Sequence, residues 1–457
     1  MNLIENLIIS LLSKQFTVLY GNSGTGKTRL ATNLINGMDQ TSHINIKVNS
    51  SGLITSHDDE EIKTLCNTEN SNEFEVNYQG QIQQEKIVIQ NCSEIKDRYG
   101  SKPSYINQDM EFTIRDVSEA YKTLNLNYRL IPVNSNWLDP RPLIGYVNIF
   151  GEAGETEYTL TPFLEMVLLA SHPRRKKVPH FVILDEMNLA PVEYYLSDIL
   201  SLMELSEDLN QPLIPHTNIS YLEKFFENRD KDSVDWILMK EVVELAKTSN
   251  TGIMLPKNLY IIGTINIDDT THTLSHKVID RAHMIEINTE KPSNLVTSIQ
   301  EEITEDQEKK FLELMDSNNL LDLTKIKNKY NDYKTSLSIL PDFNFVLSNL
   351  DLVYESIKKI DLDFGYRVVK EYLEYLLTGI DFYGSDFDDE KMRTLFSNGM
   401  MQKVLSKLHG NRRELTGVLQ ELKNIFDIPL YEDTKLQLKI HLMQEKLSTK
   451  GHVSFLR

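Results

Sequence analysis

Gly21-Asn22-Ser23-Gly24-Thr25-Gly26-Lys27-Thr28 is the stretch on which the reading of this chain turns. In front of it, Phe16-Thr17-Val18-Leu19-Tyr20 has the apolar makeup of a buried strand. Behind it, Arg29 to Asn36 has helical spacing that ends near Gly37. A strand, a glycine-rich turn and a helix in that order make a phosphate-binding loop. Gly21, Gly24 and Gly26 allow successive backbone N–H groups to close on anionic oxygens, and the following helix offers its positive dipole end to the same oxygens. Lys27 is placed to reach β and γ phosphates, and the Thr28 hydroxyl to face Mg²⁺. A turn that binds nothing would need no such flanking elements.

The rest of the chain bounds what can be built around that loop. The 457 residues leave room for about three domains. Hydrophobic residues at 40% and charged residues at 25% are globular values. A net charge of −19 excludes a surface that holds nucleic acid by bulk attraction, while leaving room for a local basic groove. Cys66 and Cys92 are too few for a disulfide framework. The segment from Met1 to Leu12 lacks a basic leader and a cleavage site, and Glu5 interrupts its apolar run, so it reads as an amphipathic helix. No stretch approaches the ~20 apolar residues of a membrane span, and the expectation is a soluble cytoplasmic protein.

The pattern changes along the chain. Residues 1–37 read as the start of an α/β core. Residues 38–125, rich in Asn, Ser, Gln and acids, read as an inserted β-containing subdomain: Ile44, Ile46 and Val48 alternate, as do Phe74, Val76 and Tyr78, and Lys86 to Ile89 follow a Gln79-Gly80 turn. Its polar face suits solvated surface or a binding site. Residues 126–290 read as the remainder of the core, with Tyr128 to Val133 a second buried strand and Leu160 to Ala170 helical. Arg174-Arg175-Lys176-Lys177 follows in a loop, as a solvated linker or a contact to a phosphate backbone. Residues 291–457 read as a helical lid and C-terminal helical region, with helical spacing in Lys309 to Met315, Tyr366 to Leu377, Met400 to Leu408 and Glu414 to Phe426.

Two further strands carry chemistry. His180-Phe181-Val182-Ile183-Leu184 runs into Asp185-Glu186, which places Asp185 to hold Mg²⁺ through water and Glu186 to act as general base on an attacking water. The alternative is a pair of carboxylates capping the next helix. Asn258 to Asn266 is a third buried strand whose terminal Asn266 suits positioning of water near a γ phosphate. Beyond it, Arg281 in Val278-Ile279-Asp280-Arg281-Ala282 could stabilise transition-state charge in a neighbouring subunit. Taken alone, Asn266 and Arg281 suit capping or surface positions equally well.

In this order the loop, acidic strand, asparagine strand and arginine resemble the AAA+ ATPase superfamily. Asp185-Glu186-Met187-Asn188-Leu189-Ala190 is similar to the pattern shared by MoxR, midasin, dynein-related and McrB proteins. Gly263 to His272 and Ser275 to Ala282 resemble the defence-associated McrB-like branch, Trp137 to Tyr146 and Thr161 to Leu164 its helix-2 insertion, and Phe364 to Val369 and Lys407 to Arg413 its lid. The resemblance implies a doubly wound αβα core, a hexameric ring, and roles residue by residue. Asn266 becomes the first sensor, Arg281 an arginine finger acting in trans, and Arg367 a contact to the γ phosphate of its own subunit. It implies Mg²⁺-dependent hydrolysis of ATP or GTP in a restriction or anti-phage system, coupled to a nuclease partner, McrC-like or other, acting on DNA. McrB proteins use GTP and carry Met-Asn-Thr-Ala-Asp-Arg where this chain has Ile265-Asn266-Ile267-Asp268-Asp269, and the missing arginine favours ATP. They also carry a DNA reader ahead of the motor. Here the loop lies at residue 21, so the expectation is recognition by the 38–125 insertion or by another protein. The alternatives are a MoxR-like ATPase that remodels a protein without DNA, and a nucleotide-dependent assembly scaffold.

Overall fold

Alternate residues of one parallel sheet feed two separate hydrophobic cores, and that fixes the layering of the molecule. The structure is a computed structural model and describes residues 1–36, 38, 43–51, 53, 73–78, 81–90, 94–97, 106, 110–116, 127–151, 154–204, 211–229, 233–267, 272–288, 303–315 and 323–456. Its central strands are β1 (Phe16–Gly21), β2 (Tyr128–Pro132), β3 (His180–Asp185), β4 (Leu259–Asn266) and β5 (His283–Glu286), all parallel, in the order β5-β1-β4-β3-β2. Leu19, Phe181, Ile183, Tyr260 and Ile262 pack to one side with α1 (Leu3–Ser13), α2 (Lys27–Asn36) and the C-terminal helices. Phe16, Val18, Tyr20, Val182, Leu184, Leu259 and Ile261 pack to the other with α3 (Pro162–Ser171) and α4 (Val234–Thr248). A parallel sheet buried on both faces needs continuous apolar runs, which is why these strands stand out in the sequence. The fold class is therefore α/β.

Two expectations change here. Tyr128–Pro132 is an edge strand, hydrogen-bonded to β3 alone, with Leu130 47% exposed, so it is not buried in the way its composition indicated. The N-terminal helix α1 is not amphipathic. Ile4, Asn6, Leu7, Ile8, Ile9, Ser10, Leu11 and Leu12 are all buried, and an Asn2–Glu5 capping box closes its first turn. Its polar members are satisfied internally: the Asn6 Oδ1 accepts from Tyr375 Oη at 2.7 Å and from Gln402 Nε2 at 2.8 Å, and Ser10 Oγ donates to Gln402 Oε1 at 3.0 Å.

A second five-stranded sheet lies within the inserted stretch. It is antiparallel, in the order 43–48, 110–116, 73–78, 81–90, 94–97. The expected turn at Gln79-Gly80 lies outside the described residues.

The C-terminal part is helical. It comprises α5 (Glu305–Met315), α6 (Leu323–Ser336), α7 (Phe343–Lys358), α8 (Tyr366–Tyr383), α9 (Asp389–Gly399), α10 (Arg412–Ile425) and α11 (Lys435–Lys450). Where the spacing of Met400 to Leu408 indicates an α-helix, the chain instead makes a π turn over Met400–Val404, with Leu405 N bonded to Met400 O at 3.0 Å. Strand 409–411 then pairs antiparallel with 452–454. Among the described residues no helix is long and apolar enough to cross a membrane.

Candidate functional site

The C-terminal ends of β1, β3 and β4 converge, and the sequence motifs meet there. Gly21 is level with Asn266 in the β1–β4 ladder, and Ile267 N donates to Gly21 O at 3.2 Å. The loop leaves β1 through Gly24 and Gly26 at φ 77° and 86°, a region only glycine enters without cost. Asn22, Ser23, Gly24 and Gly26 are exposed, and α2 begins at Lys27. Lys27 itself is 6% exposed, with its ammonium donating to Gly21 O at 3.1 Å and Asn22 O at 2.7 Å.

Asp185 is the hub of the edge. Its Oδ1 accepts from Thr28 Oγ1 at 2.7 Å and from Thr264 Oγ1 at 2.8 Å, which joins the loop helix, the acidic strand and the asparagine strand at one atom. Thr264 also accepts from Glu186 N at 3.0 Å. That hydrogen bond helps to hold Glu186 in a left-handed backbone conformation, φ 51° and ψ 45°, which costs on the order of 1–3 kcal/mol for a residue with a side chain. The sharp turn leaves the Glu186 side chain exposed, and its Oε1 accepts from Asn266 Nδ2 at 3.1 Å. Beneath it the 3-10 turn Met187–Leu189 is pinned by Tyr195 Oη on Met187 O at 2.8 Å, and Asn188 Nδ2 donates to Asn266 O at 3.0 Å and His272 O at 3.3 Å. Thr264 and Asn188 lie inside stretches the sequence singled out, but the motifs assign neither of them a role. Thr264 announces itself only by lying two residues before Asn266, on the same face of a strand. The stretch Asp268 to Thr271 lies outside the described residues.

Mg²⁺ fits this edge. Among the described residues no cluster of three or more His, Cys, Asp and Glu side chains is arranged to hold a metal. An ion of this kind takes one or two protein oxygens and fills its shell with phosphate oxygens and water, and the Thr28 hydroxyl against the Asp185 carboxylate is such a pair.

Arg281 and Arg367 lie elsewhere. His283 is level with Thr17, at the N-terminal end of β1, about 13 Å of strand below Gly21. Arg281 precedes His283, in the turn that leads into the same end of the sheet. Its Nε pairs with Glu204 Oε1 at 2.9 Å, and Arg367 Nη2 pairs with the other oxygen, Glu204 Oε2, at 2.8 Å. Arg367, which the resemblance placed against the γ phosphate of its own subunit, is held here by Glu204. The reason is the seating of α8: Glu371, one turn on from Arg367, pairs with Lys14 at the end of α1 and with Lys403 in the π turn, which anchors the start of α8 at the opposite edge of the sheet.

Lys403 fixes the backbone on both sides of Arg281. Its side chain is 0% exposed. The ammonium donates to Asp280 O at 3.1 Å and Ala282 O at 3.0 Å, the carbonyls flanking Arg281. Burial opposes ionisation of Glu371, but Lys403 and Lys14 overcome it and hold the carboxyl down at about 2. Next to them His283 is kept neutral by burial and by Lys403, and its Nδ1 meets Gln402 Oε1 at 3.0 Å.

The basic cluster behind α3 is partly withdrawn from solvent. Arg175 is 2% exposed and donates from Nε to His180 Nε2 at 2.8 Å; burial, with Arg175 alongside, drives the His180 pKa well below its ordinary value and leaves the ring neutral.

A family model described as a domain of unknown function (DUF8727) matches residues 343–452, from the start of α7 into strand 452–454. No curated protein matches the chain. The matched segment contains Arg367, Glu371 and Lys403 but none of the loop, acidic or asparagine residues, so this similarity bears on the arginine edge alone.

Proposed function

We propose that the protein is an AAA+-type nucleoside triphosphate hydrolase whose active site is completed by a second copy of the chain. The observation that carries this reading is the joining of Thr28, Asp185 and Thr264 at one oxygen, with Glu186 and Asn266 paired beside it, at the end of the sheet from which the loop springs. Loop N–H groups and Lys27 bind the phosphates, and Lys27 exchanges its bonds to Gly21 O and Asn22 O for phosphate oxygens. Thr28 and Asp185 would hold Mg²⁺, which when bound neutralises charge on the β and γ phosphates. Glu186 takes the proton of the attacking water as the bond from water oxygen to γ phosphorus forms and that to the bridging oxygen breaks. Asn266 keeps the Glu186 carboxylate aimed. Arg281, at the opposite end of the sheet from its own loop, serves that of a neighbour, so hydrolysis needs assembly into a homo-oligomer, a hexameric ring by resemblance.

ATP is the favoured substrate over GTP, and the resemblance extends to a nuclease partner acting on DNA in a restriction or anti-phage system. Inward-turned Arg175 and a net charge of −19 favour the second reading, in which the motor remodels a protein. Turnover of ATP and GTP measured against protein concentration tests the first claim: the rate per chain should rise steeply as copies assemble. Absence of hydrolysis, or a rate per chain independent of concentration, refutes it. Stimulation by duplex or single-stranded DNA, falling steeply with salt, separates the DNA reading from the protein-remodelling one.

A further inference from the structure

Glu204 belongs to no motif, yet its carboxylate holds both arginines, one on each oxygen. It lies in the turn after the short helix Ser197–Leu202, in the core part of the chain, and Arg367 lies on α8 of the C-terminal part. The surroundings are short of negative charge. Lys14, Lys403, Arg281 and Arg367 are held by the two carboxylates of Glu204 and Glu371, while Lys407 and Asp280, and Lys370 and Glu374, pair off beside them. In a protein with a net charge of −19 this is a local excess of cations, built around two guanidiniums on adjacent oxygens of one anion. A terminal phosphate presents oxygens of the same kind and takes bidentate guanidinium contacts as a carboxylate does.

We propose that Glu204 is a latch: it occupies Arg281 and Arg367 together, and hydrolysis across a subunit interface requires a neighbour's phosphate to displace it from both. The proposal rests on the trans reading of Arg281 and adds a residue that restrains the site. The three side chains are partly exposed, 17% for Glu204, 23% for Arg281 and 45% for Arg367, while the paired atoms Glu204 Oε1 and Arg281 Nε are buried, so the exchange begins at the more exposed Arg367. Lys403 keeps the backbone on either side of Arg281 in place during the exchange, so that only side chains need to move.

The test is Glu204→Gln, which keeps the shape and removes the charge, with Glu204→Ala as a second variant should the first fail to fold. Turnover per chain at protein concentrations below full assembly is expected to rise about five- to tenfold, and assembly with a non-hydrolysable triphosphate analogue, followed by sedimentation, should need correspondingly less protein. Adding Arg367→Ala should cancel the gain. Unchanged or reduced turnover and assembly in variants that melt like the wild type would overturn the latch, because a residue that merely positions the arginines loses activity when its charge goes. A gain that survives Arg367→Ala would also overturn it. A wild-type protein that neither hydrolyses nor assembles with nucleotide refutes the hydrolase reading itself, and the latch falls with it.

Discussion

The two ends of the central sheet are built on opposite plans. At the C-terminal end, neutral hydroxyls and an amide converge on two carboxylates, through an exposed glycine loop and a left-handed glutamate. At the N-terminal end, cations and carboxylates interlock beneath a helix of the C-terminal part, with the Lys403 side chain wholly buried among them. The first end is short of positive charge for the reaction proposed for it, and the second has positive charge with no phosphate loop in reach. Each supplies what the other lacks, which is the physical case for a site shared between copies.

The largest test is to separate the two ends genetically. Arg281→Ala should reduce turnover about 10³- to 10⁵-fold with nucleotide binding retained, and mixing it with Glu186→Gln subunits should restore activity at interfaces that pair an intact finger with an intact base. Co-assembled mixtures that stay inactive would break the comparison. Glu186→Gln alone should bind nucleotide and assemble while losing about 10²- to 10⁴-fold in turnover; ordinary turnover by this variant would remove Glu186 as base.

Lys403→Met addresses the arginine end as a structure. Breaking a pair with a fully buried ammonium should cost about 3–5 kcal/mol, read as a lower midpoint in urea, and should weaken turnover by loosening Arg281. Acid sharpens the same contrast. Glu371 is held down at about 2 from an ordinary 4.5, so its contribution to stability is complete above pH 4.5 and is lost as the pH falls from there towards 2. Urea midpoints should fall across that window in the wild type and less in Lys403→Met.

The smallest effect belongs to Gly263→Ala. An added Cβ would strike the Met187 sulfur directly behind Glu186, so about 1–3 kcal/mol of stability should go, with a drop in turnover but not in nucleotide affinity. Equal losses in both would place the damage in the loop instead.

The sequence disclosed the C-terminal end because that end is built from local signals. Glycines in a row, an apolar run meeting two acids and an apolar run meeting an asparagine are each contained in a few residues, and strands at 180–185 and 259–266 follow from them. It disclosed little of the arginine end. Glu204 meets Arg281 and Arg367 from far along the chain, and no spacing in a linear sequence brings those three together. Nothing in the sequence around Arg367 reports that Glu371 will dock on Lys14 and Lys403. The same holds for α1, whose polar residues look solvent-facing until the Gln402 side chain arrives to bond them.

The π turn at Met400–Val404 makes the length of this helix, and not only its composition, a functional property. Such a turn takes one residue more than an α turn. Deleting a single residue there would restore α spacing and swing Lys403 by about 100°, away from the carbonyls of Asp280 and Ala282 that it now grips. Arg281 would lose its mooring although every residue at both ends of the sheet was still present. Changes of length, which the chain can absorb in its surface loops, are closed to it along these five residues.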